Sequence, residues 1–124
     1  MEWYLKVMRE NYANFNGRAR RKEYWMFTLF HTLLVIACAF TLALLVATGP
    51  YSLTLLVAIM SIAVILAHVV PSLAISVRRL HDVGQSGWFL LLALIPYIGN
   101  SIIFVFSVIE GNKGTNKYGP DPKA

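Results

Sequence analysis

The chain alternates between long apolar stretches and short polar ones, and two of the apolar stretches carry no charge. Between Tyr24 and Val77, and again from Gly87 to Ile109, the sequence contains no Asp, Glu, Lys or Arg. An uncharged apolar run of about 18 residues or more predicts a membrane-spanning helix, because roughly 20 residues cover the hydrocarbon core. An isolated strand would leave its backbone polar groups unpaired in lipid, so each span is predicted to be helical.

The first apolar run is too long for one helix, and turn-forming residues divide it. Gly49 and Pro50 stand near its middle and are followed by Tyr51 and Ser52, a group typical of a turn at the membrane surface. We therefore predict spans over residues 24–48, 53–77 and 88–109, after an arm at 1–23 and before a tail at 110–124. The chain is predicted to be an all-α membrane protein with a single membrane-embedded domain.

Helix-breaking residues at the centre of the third run leave two interpretations open. Pro96 removes a helix hydrogen bond, and Gly99 with Asn100 is a turn signal. The first interpretation is a third transmembrane helix that is kinked near Pro96. The alternative is a re-entrant hairpin, whose halves would each be too short to cross the bilayer.

The first fifteen residues predict an amphipathic helix that lies in the membrane interface. Apolar residues repeat on one side at helical spacing, and charged residues occupy the other. The apolar side consists of Met1, Tyr4, Leu5, Met8, Tyr12 and Phe15.

The basic residues predict the orientation of the spans. Six of them precede the first span, Arg78 and Arg79 follow the second, and the loop at Gly49 has none. Lys and Arg accumulate on the cytoplasmic side, so the N-terminus and the second loop are predicted to be cytoplasmic. Three full spans would leave three lysines of the tail outside, whereas a hairpin would put all eleven basic residues inside.

Cations and aromatic residues at the cytoplasmic ends of the spans predict a binding surface. Such a surface could grip a phosphate headgroup or an acidic partner. A competing interpretation of the second loop is a capped turn, in which Gly84 ends one helix and Ser86 starts the next. The candidate binding residues are Arg18, Arg20, Arg21, Lys22, Trp25, Arg78, Arg79, His81, Asp82 and Trp88.

Among the polar residues predicted to lie inside the spans, four are singled out as candidates: His31, His68, Ser72 and Asn100. Polar groups at membrane depth are functional candidates, although hydrogen bonds between helices also account for them. A proton or ion path would need an oligomer, because three helices enclose little space. The alternative function is therefore a subunit of a small oligomeric channel or transporter, and we expect a homo-oligomer or a larger membrane partner.

Three motifs carry a resemblance to a known family. They are FNGRARRKEYW at 15–25, RRLHDVGQSGW at 78–88 and GTNKYGPDP at 114–122. In this order they resemble the small bacterial inner-membrane proteins of the YhaH/YhaI type, a family of unknown function, over nearly the whole chain. The resemblance implies a multi-pass location in the bacterial inner membrane, and it implies no reaction.

The sequence offers little for catalysis. It has no catalytic triad order, zinc-ligand spacing or phosphate-binding glycine loop, and His81 with Asp82 is short of the three or four ligands that a metal site needs. We expect a non-enzymatic inner-membrane protein that uses no metal or other cofactor and binds no nucleic acid. Its basic cytoplasmic face is expected to bind anionic lipid or a protein partner.

Overall fold

The computed structural model describes residues 2–94 and 98–123, apart from the side chains at positions 92–94, 98 and 100. The described elements are helices joined by short connections, which confirms the all-α prediction for this part of the chain. In chain order they are α1 (Glu2–Arg9), α2 (Arg21–Thr48), α3 (Tyr51–Asp82), a 3₁₀ helix (Gly87–Leu94) and α4 (Ile98–Val108).

The first two predicted spans correspond to α2 and α3. These helices have 28 and 32 residues, so they extend about 42 and 48 Å at ~1.5 Å per residue. Within the described residues they are the two helices that are long and apolar enough to cross a bilayer. A tight turn joins them, in which the N–H of Gly49 donates to the carbonyl oxygen of Leu45 at 2.8 Å. α3 continues past the predicted boundary, so Arg78 and Arg79 are helical.

Burial in this molecule is the reverse of that in a water-soluble protein. None of the most apolar 18-residue stretch of α2 is buried, and only 6% of that of α3 is. Phe40 and Val46 are 70% and 71% exposed, whereas Arg79 and Asp82 are 1% exposed. Charged residues are almost never fully buried in soluble proteins unless they are paired. The outer surfaces of α2 and α3 therefore suit contact with acyl chains.

The N-terminal helix is shorter than predicted. α1 ends at Arg9, whereas the sequence predicts a helix as far as Phe15. Asn side chains account for the difference, since they compete with the helix for backbone groups. Asn14 donates to Oδ1 of Asn11 at 2.9 Å, and its own Oδ1 accepts the backbone N–H of Asn16 at 3.1 Å.

The third apolar run contains two short helices of different kinds, and the described residues of this run hold no helix of membrane-spanning length, so the kinked third span predicted over residues 88–109 is not confirmed. The 3₁₀ helix and α4 have eight and eleven residues, and Pro96, the predicted kink, lies outside the described residues. The run begins and ends beside the same end of α3. A Cβ on Gly87 would touch the side chain of Val77, and the carbonyl oxygen of Ile109 accepts a hydrogen bond from Arg79. This geometry agrees with the hairpin alternative.

Candidate functional site: buried ion pairs beside an open basic group

The last turn of α3 presents a carboxylate that two arginines share. Arg18 donates from Nε to Oδ1 of Asp82 at 3.0 Å, and Arg79 pairs with the other oxygen, Oδ2. All three side chains are only 1–2% exposed. Water cannot solvate these charges, so each one depends on its partners. Removing one member of a buried pair costs about 3–5 kcal/mol.

A second buried pair joins α2 to α3. NH1 of Arg78 donates to Oε1 of Glu23 at 2.8 Å, and both side chains are 4% exposed. Glu23 is not among the site residues predicted from the sequence, although the scarcity of acidic residues could have identified it. Glu23 and Asp82 are the only acidic residues between Glu10 and Glu110. Both neutralise arginines at the buried end of the helices.

The tail folds back onto Asp82 and closes the cluster. NH1 of Arg18 donates to the carbonyl oxygens of Gly114 and Gly119, at 2.6 and 3.3 Å. The backbone N–H of Asn112 donates to the carbonyl oxygen of Asp82 at 2.6 Å. Arg18 thus holds the end of α3 with its Nε edge and the tail with its terminal nitrogens.

His81 connects the arm with the tail. Its Nδ1 lies 2.9 Å from the carbonyl oxygen of Gly17, and its ring stacks on Tyr118 with centroids 4.0 Å apart. The side-chain amide of Asn116 donates to the backbone carbonyl oxygen of His81 at 2.9 Å. The three sequence motifs therefore meet at one place, through contacts between residues far apart in the chain.

The buried cluster corrects part of the predicted binding surface. Five of the predicted residues are buried, namely the imidazole of His81 and four charged side chains. The four charged side chains are bonded to other protein atoms, so they cannot meet a lipid or a partner at the surface. Their charges neutralise one another and hold the helices and the tail together. These four are Arg18, Arg78, Arg79 and Asp82.

Other predicted residues keep some exposed surface. NH1 of Arg21 donates to the carbonyl oxygen of Val108 at 3.1 Å, and Nε1 of Trp25 donates to that of Ser107 at 3.0 Å. Both contacts fix the end of α4 against the start of α2. Trp88, at the start of the 3₁₀ helix, is 78% exposed.

Arg20 and Lys22 belong to a group of cations that the sequence pattern alone did not reveal. Together with Lys6 they surround Trp3, and each cation lies 5.5 Å from the centroid of its ring. We call these four residues the Trp3 group. In the described part of the chain no carboxylate forms an ion pair with these cations. The Nε of Arg20 is buried without a hydrogen-bond partner there.

The arm also reaches the middle of α3 through Tyr12. Pro71 has no N–H, so it cannot make the helix hydrogen bond to the carbonyl oxygen of Ala67, four residues earlier. The hydroxyl of Tyr12 donates to that oxygen at 2.6 Å. A side chain from the arm thus satisfies the acceptor that the proline leaves open.

Tyr4 makes a second contact of this kind. Nδ1 of His68 lies 2.8 Å from the carbonyl oxygen of Val64, which can only accept, so Nδ1 carries the proton. Nε2 of the neutral ring is then free to accept from the hydroxyl of Tyr4, 2.6 Å away. Burial raises the pKa of the Tyr4 hydroxyl, which keeps it protonated as this bond requires.

Three of the predicted intramembrane polar residues come together beneath Tyr4. The rings of His31 and His68 are 5.1 Å apart between centroids, and both line a cavity of about 260 Å³ with Ser72. Nδ1 of His31 and Oγ of Ser72 are buried, and they have no hydrogen-bond partner among the described residues. The side chain of Asn100 lies outside the described residues.

The carboxylates of the tail are less buried than that of Asp82, since Glu110 is exposed and Asp121 is half-buried. Backbone N–H groups of Lys123 and Gly114 donate to Asp121 and hold its pKa below the ordinary value. The hydrogen bond from Lys123 likewise lowers the pKa of Glu110. Within residues 2–94 and 98–123, no three His, Cys, Asp or Glu side chains are grouped to hold a metal ion.

Comparison with known proteins confirms the family resemblance. The family described as a protein of unknown function, DUF805, matches residues 12–120. Inner membrane protein YhaI of Escherichia coli strain K12 is 43% identical over 123 residues, which cover 99% of this chain and 97% of YhaI. Inner membrane protein YhaH of the same strain is 45% identical over 123 residues, covering 99% of this chain and 98% of YhaH. No solved structure matches the chain.

The matches extend over the arm, both long helices and the tail, so they include every segment that contributes to the buried cluster. Both relatives are named as inner membrane proteins. The chain therefore belongs to the DUF805 family of unknown function, and it is a protein of the bacterial inner membrane.

Proposed function

We propose that the protein is a non-enzymatic component of the inner membrane that crosses the bilayer twice and binds anionic lipid headgroups through the Trp3 group. The observation that carries this proposal is the gathering of Lys6, Arg20 and Lys22 around one indole ring. Their charges repel one another and have no carboxylate partner among the described residues, so an anion placed among them would be stabilised.

The arrangement of the helix ends supports the proposed topology. The arm, the end of α3 and the tail all meet at the buried cluster. If α2 and α3 span the bilayer, all eleven basic residues lie on that side, and the turn at Gly49 lies on the other. Because Lys and Arg accumulate in the cytoplasm, the cluster side is the cytoplasmic side.

The third apolar run is proposed to enter and leave the membrane from the cytoplasmic face. α4 has eleven residues, which extend about 16 Å and cannot cross a core of roughly 30 Å. The rings of Phe89 and Phe106 pack edge to face, 5.9 Å apart, and join the 3₁₀ helix to α4. This contact supports the proposal that the two short helices form a hairpin beside α3.

The Trp3 group suits the headgroup layer physically. An indole ring favours the membrane interface, because one part of it is apolar and one edge is polar. Each cation close to an anionic surface contributes about 1 kcal/mol, so three contribute roughly 3 kcal/mol. Arg18, Arg78 and Arg79 contribute less, because Asp82 and Glu23 already neutralise them.

The test compares two variants that lose the same charge at different places. The first combines Lys6→Gln, Arg20→Gln and Lys22→Gln. The control combines Lys113→Gln, Lys117→Gln and Lys123→Gln in the tail. Each is extracted from mixed phosphatidylglycerol and phosphatidylcholine vesicles, and the retained lipids are counted by native mass spectrometry. The first variant should bind phosphatidylglycerol about a hundredfold more weakly, and the control should resemble the unmodified protein.

Two results would contradict the proposal. One is an equal loss of phosphatidylglycerol from both variants, since net charge rather than the Trp3 group would then be responsible. The other is no preference for phosphatidylglycerol in the unmodified protein. That result would favour a protein partner for the basic face instead. Membrane insertion is checked in each variant by extraction with alkaline carbonate.

A further inference from the structure

A second cavity lies on the cytoplasmic side, away from the Trp3 group. Its volume is about 440 Å³, and it is bounded by the arm, the end of α3 and the start of the 3₁₀ helix. Pockets that hold small ligands measure about 300–1,000 Å³. The lining side chains carry no fixed charge: Phe15, Val77, His81, Ser86, Gly87 and Trp88.

The imidazole of His81 is fixed so that one nitrogen stays open. The carbonyl oxygen of Gly17 can only accept, so Nδ1 of His81 donates to it at 2.9 Å. Tyr118 covers one face of the ring. In the neutral tautomer Nε2 is then an acceptor, and no described residue donates to it. A ligand in this cavity that carries an N–H or O–H group could fill that position.

Ser86 supplies the complementary group. Its Oγ accepts the backbone N–H of Trp88 at 3.3 Å, as expected for the residue that starts the 3₁₀ helix. The hydroxyl hydrogen remains free to donate to an oxygen in the cavity. The cavity therefore pairs one acceptor with one donor.

Two exposed aromatic side chains form the apolar part of the cavity. Phe15 is 41% and Trp88 is 78% exposed, and exposed tryptophans at the end of a membrane span prefer the headgroup layer. The cavity is thus proposed to lie where headgroups and the first acyl carbons meet. A phospholipid is the occupant whose chemistry fits both the aromatic walls and the polar pair.

We infer that this cavity binds a phospholipid headgroup that carries its own hydrogen-bond donors. The ammonium of phosphatidylethanolamine and the hydroxyls of phosphatidylglycerol both qualify, since each can donate to Nε2 of His81 while a phosphate or ester oxygen accepts from Ser86. Phosphatidylcholine has a quaternary ammonium with neither N–H nor O–H, and so it cannot. The inference does not depend on the Trp3 group, because phosphatidylethanolamine and phosphatidylcholine have the same net charge.

The experiment uses protein in detergent that combines Trp3→Phe with Lys6→Gln, Arg20→Gln and Lys22→Gln. These changes remove the indole and the three cations of the Trp3 group, and they leave Trp88, which is 78% exposed, as the reporter. The fluorescence of Trp88 is followed during separate titrations with dihexanoyl phosphatidylethanolamine, phosphatidylglycerol and phosphatidylcholine. The first two should saturate, and phosphatidylcholine should bind up to about tenfold more weakly, because it lacks the one hydrogen bond to Nε2 of His81. Saturation by only one of the first two lipids identifies the natural headgroup.

Two variants and one control locate the binding. Ser86→Ala removes the donor, and His81→Asn keeps a donor towards Gly17 but has no Nε2. Each should weaken phosphatidylethanolamine or phosphatidylglycerol binding by about tenfold. Ser76→Ala is the control, because its hydroxyl bonds inside α3 to the carbonyl oxygen of Ser72. If His81→Asn fails to fold, Ser86→Ala decides alone.

The inference is overturned if the three lipids bind equally, or if Ser86→Ala leaves the affinity unchanged. Its failure can be distinguished from failure of the proposed function. The proposed function is tested by whether the Lys6, Arg20 and Lys22 variant loses its preference for phosphatidylglycerol. That result is independent of whether phosphatidylethanolamine and phosphatidylcholine bind equally in this titration.

Discussion

The hydroxyl of Tyr12 donates to the carbonyl oxygen of Ala67, a residue 55 positions further along the chain, at 2.6 Å. This bond fills the one place where Pro71 interrupts the hydrogen-bond ladder of α3. The arm is therefore attached to the side of α3 through a backbone acceptor that Pro71 leaves without its helix partner.

Replacing Tyr12 with Phe should destabilise the protein by about 1–2 kcal/mol, because the Ala67 carbonyl loses its partner. Thermal unfolding in detergent micelles, followed by circular dichroism, measures the effect. Tyr51→Phe serves as the control, since Tyr51 is 81% exposed and its hydroxyl has no hydrogen bond within the described residues. An equal effect of the two changes would contradict a stabilising role for the hydrogen bond between Tyr12 and Ala67.

Pro71→Ala should make the Tyr12 bond dispensable. Alanine supplies an N–H that can bond the Ala67 carbonyl within the helix. Tyr12→Phe should then cost much less in the Pro71→Ala background than in the unmodified protein, and a double-mutant cycle measures this difference. Additive effects would show that Pro71 and Tyr12 act independently.

Asp82→Asn should destabilise the protein by about 3–5 kcal/mol, because two buried guanidinium groups would lose their shared carboxylate. Loss of folded protein after detergent extraction, measured by size-exclusion chromatography, reports the effect. Glu110→Gln is a matched control, since that side chain is 56% exposed and its one ion pair within residues 2–94 and 98–123 is with Lys123. Normal recovery of Asp82→Asn would exclude a stabilising role for the cluster.

A reporter domain fused after Ala124 should be found in the cytoplasm. This follows from the hydrogen bonds between Arg18 and the tail, which keep both on one side of the membrane. A reporter inserted between Gly49 and Pro50 should be found on the opposite side. An external reporter after Ala124 would instead favour a full third span.

Acidification should release the tail turn at Asp121. Its folded pKa lies below the ordinary 3.8, so its bonds to Gly114 and Lys123 contribute above pH 3.8 and are lost as the pH falls through the folded pKa. The amide resonances of Gly114 and Lys123 should therefore shift only below about pH 3.8. Asp121→Asn should abolish this transition, and a shift near neutral pH would contradict the assignment.

The two long helices could be predicted from sequence because their signal is local. Lack of charge and a pair of turn formers at Gly49 and Pro50 suffice to delimit them. The capped turn after α3 could also be predicted from the sequence. Gly84 adopts a φ of +80°, as expected for the residue after a helix, and Ser86 caps the next helix.

The buried ion pairs could not be predicted, because they join residues that are far apart in the chain. Arg18 and Asp82 are 64 residues apart, and Arg78 and Glu23 are 55 residues apart. Sequence patterns show that cations stand at the ends of spans, but they do not show which cations face inward. The Trp3 group could not be predicted for the same reason, since α1 must fold back before Lys6 and Arg20 approach the same ring.

The contacts of Arg18 also set an order of events during synthesis. Its partners in the tail, at Asn112 and Gly119, leave the ribosome 94 and 101 residues after it. Until then Arg18 lacks the carbonyl oxygens of the tail to which it donates hydrogen bonds in the folded protein. A copy that terminates before residue 112 would contain both long helices but would lack every hydrogen bond between Arg18 and the tail.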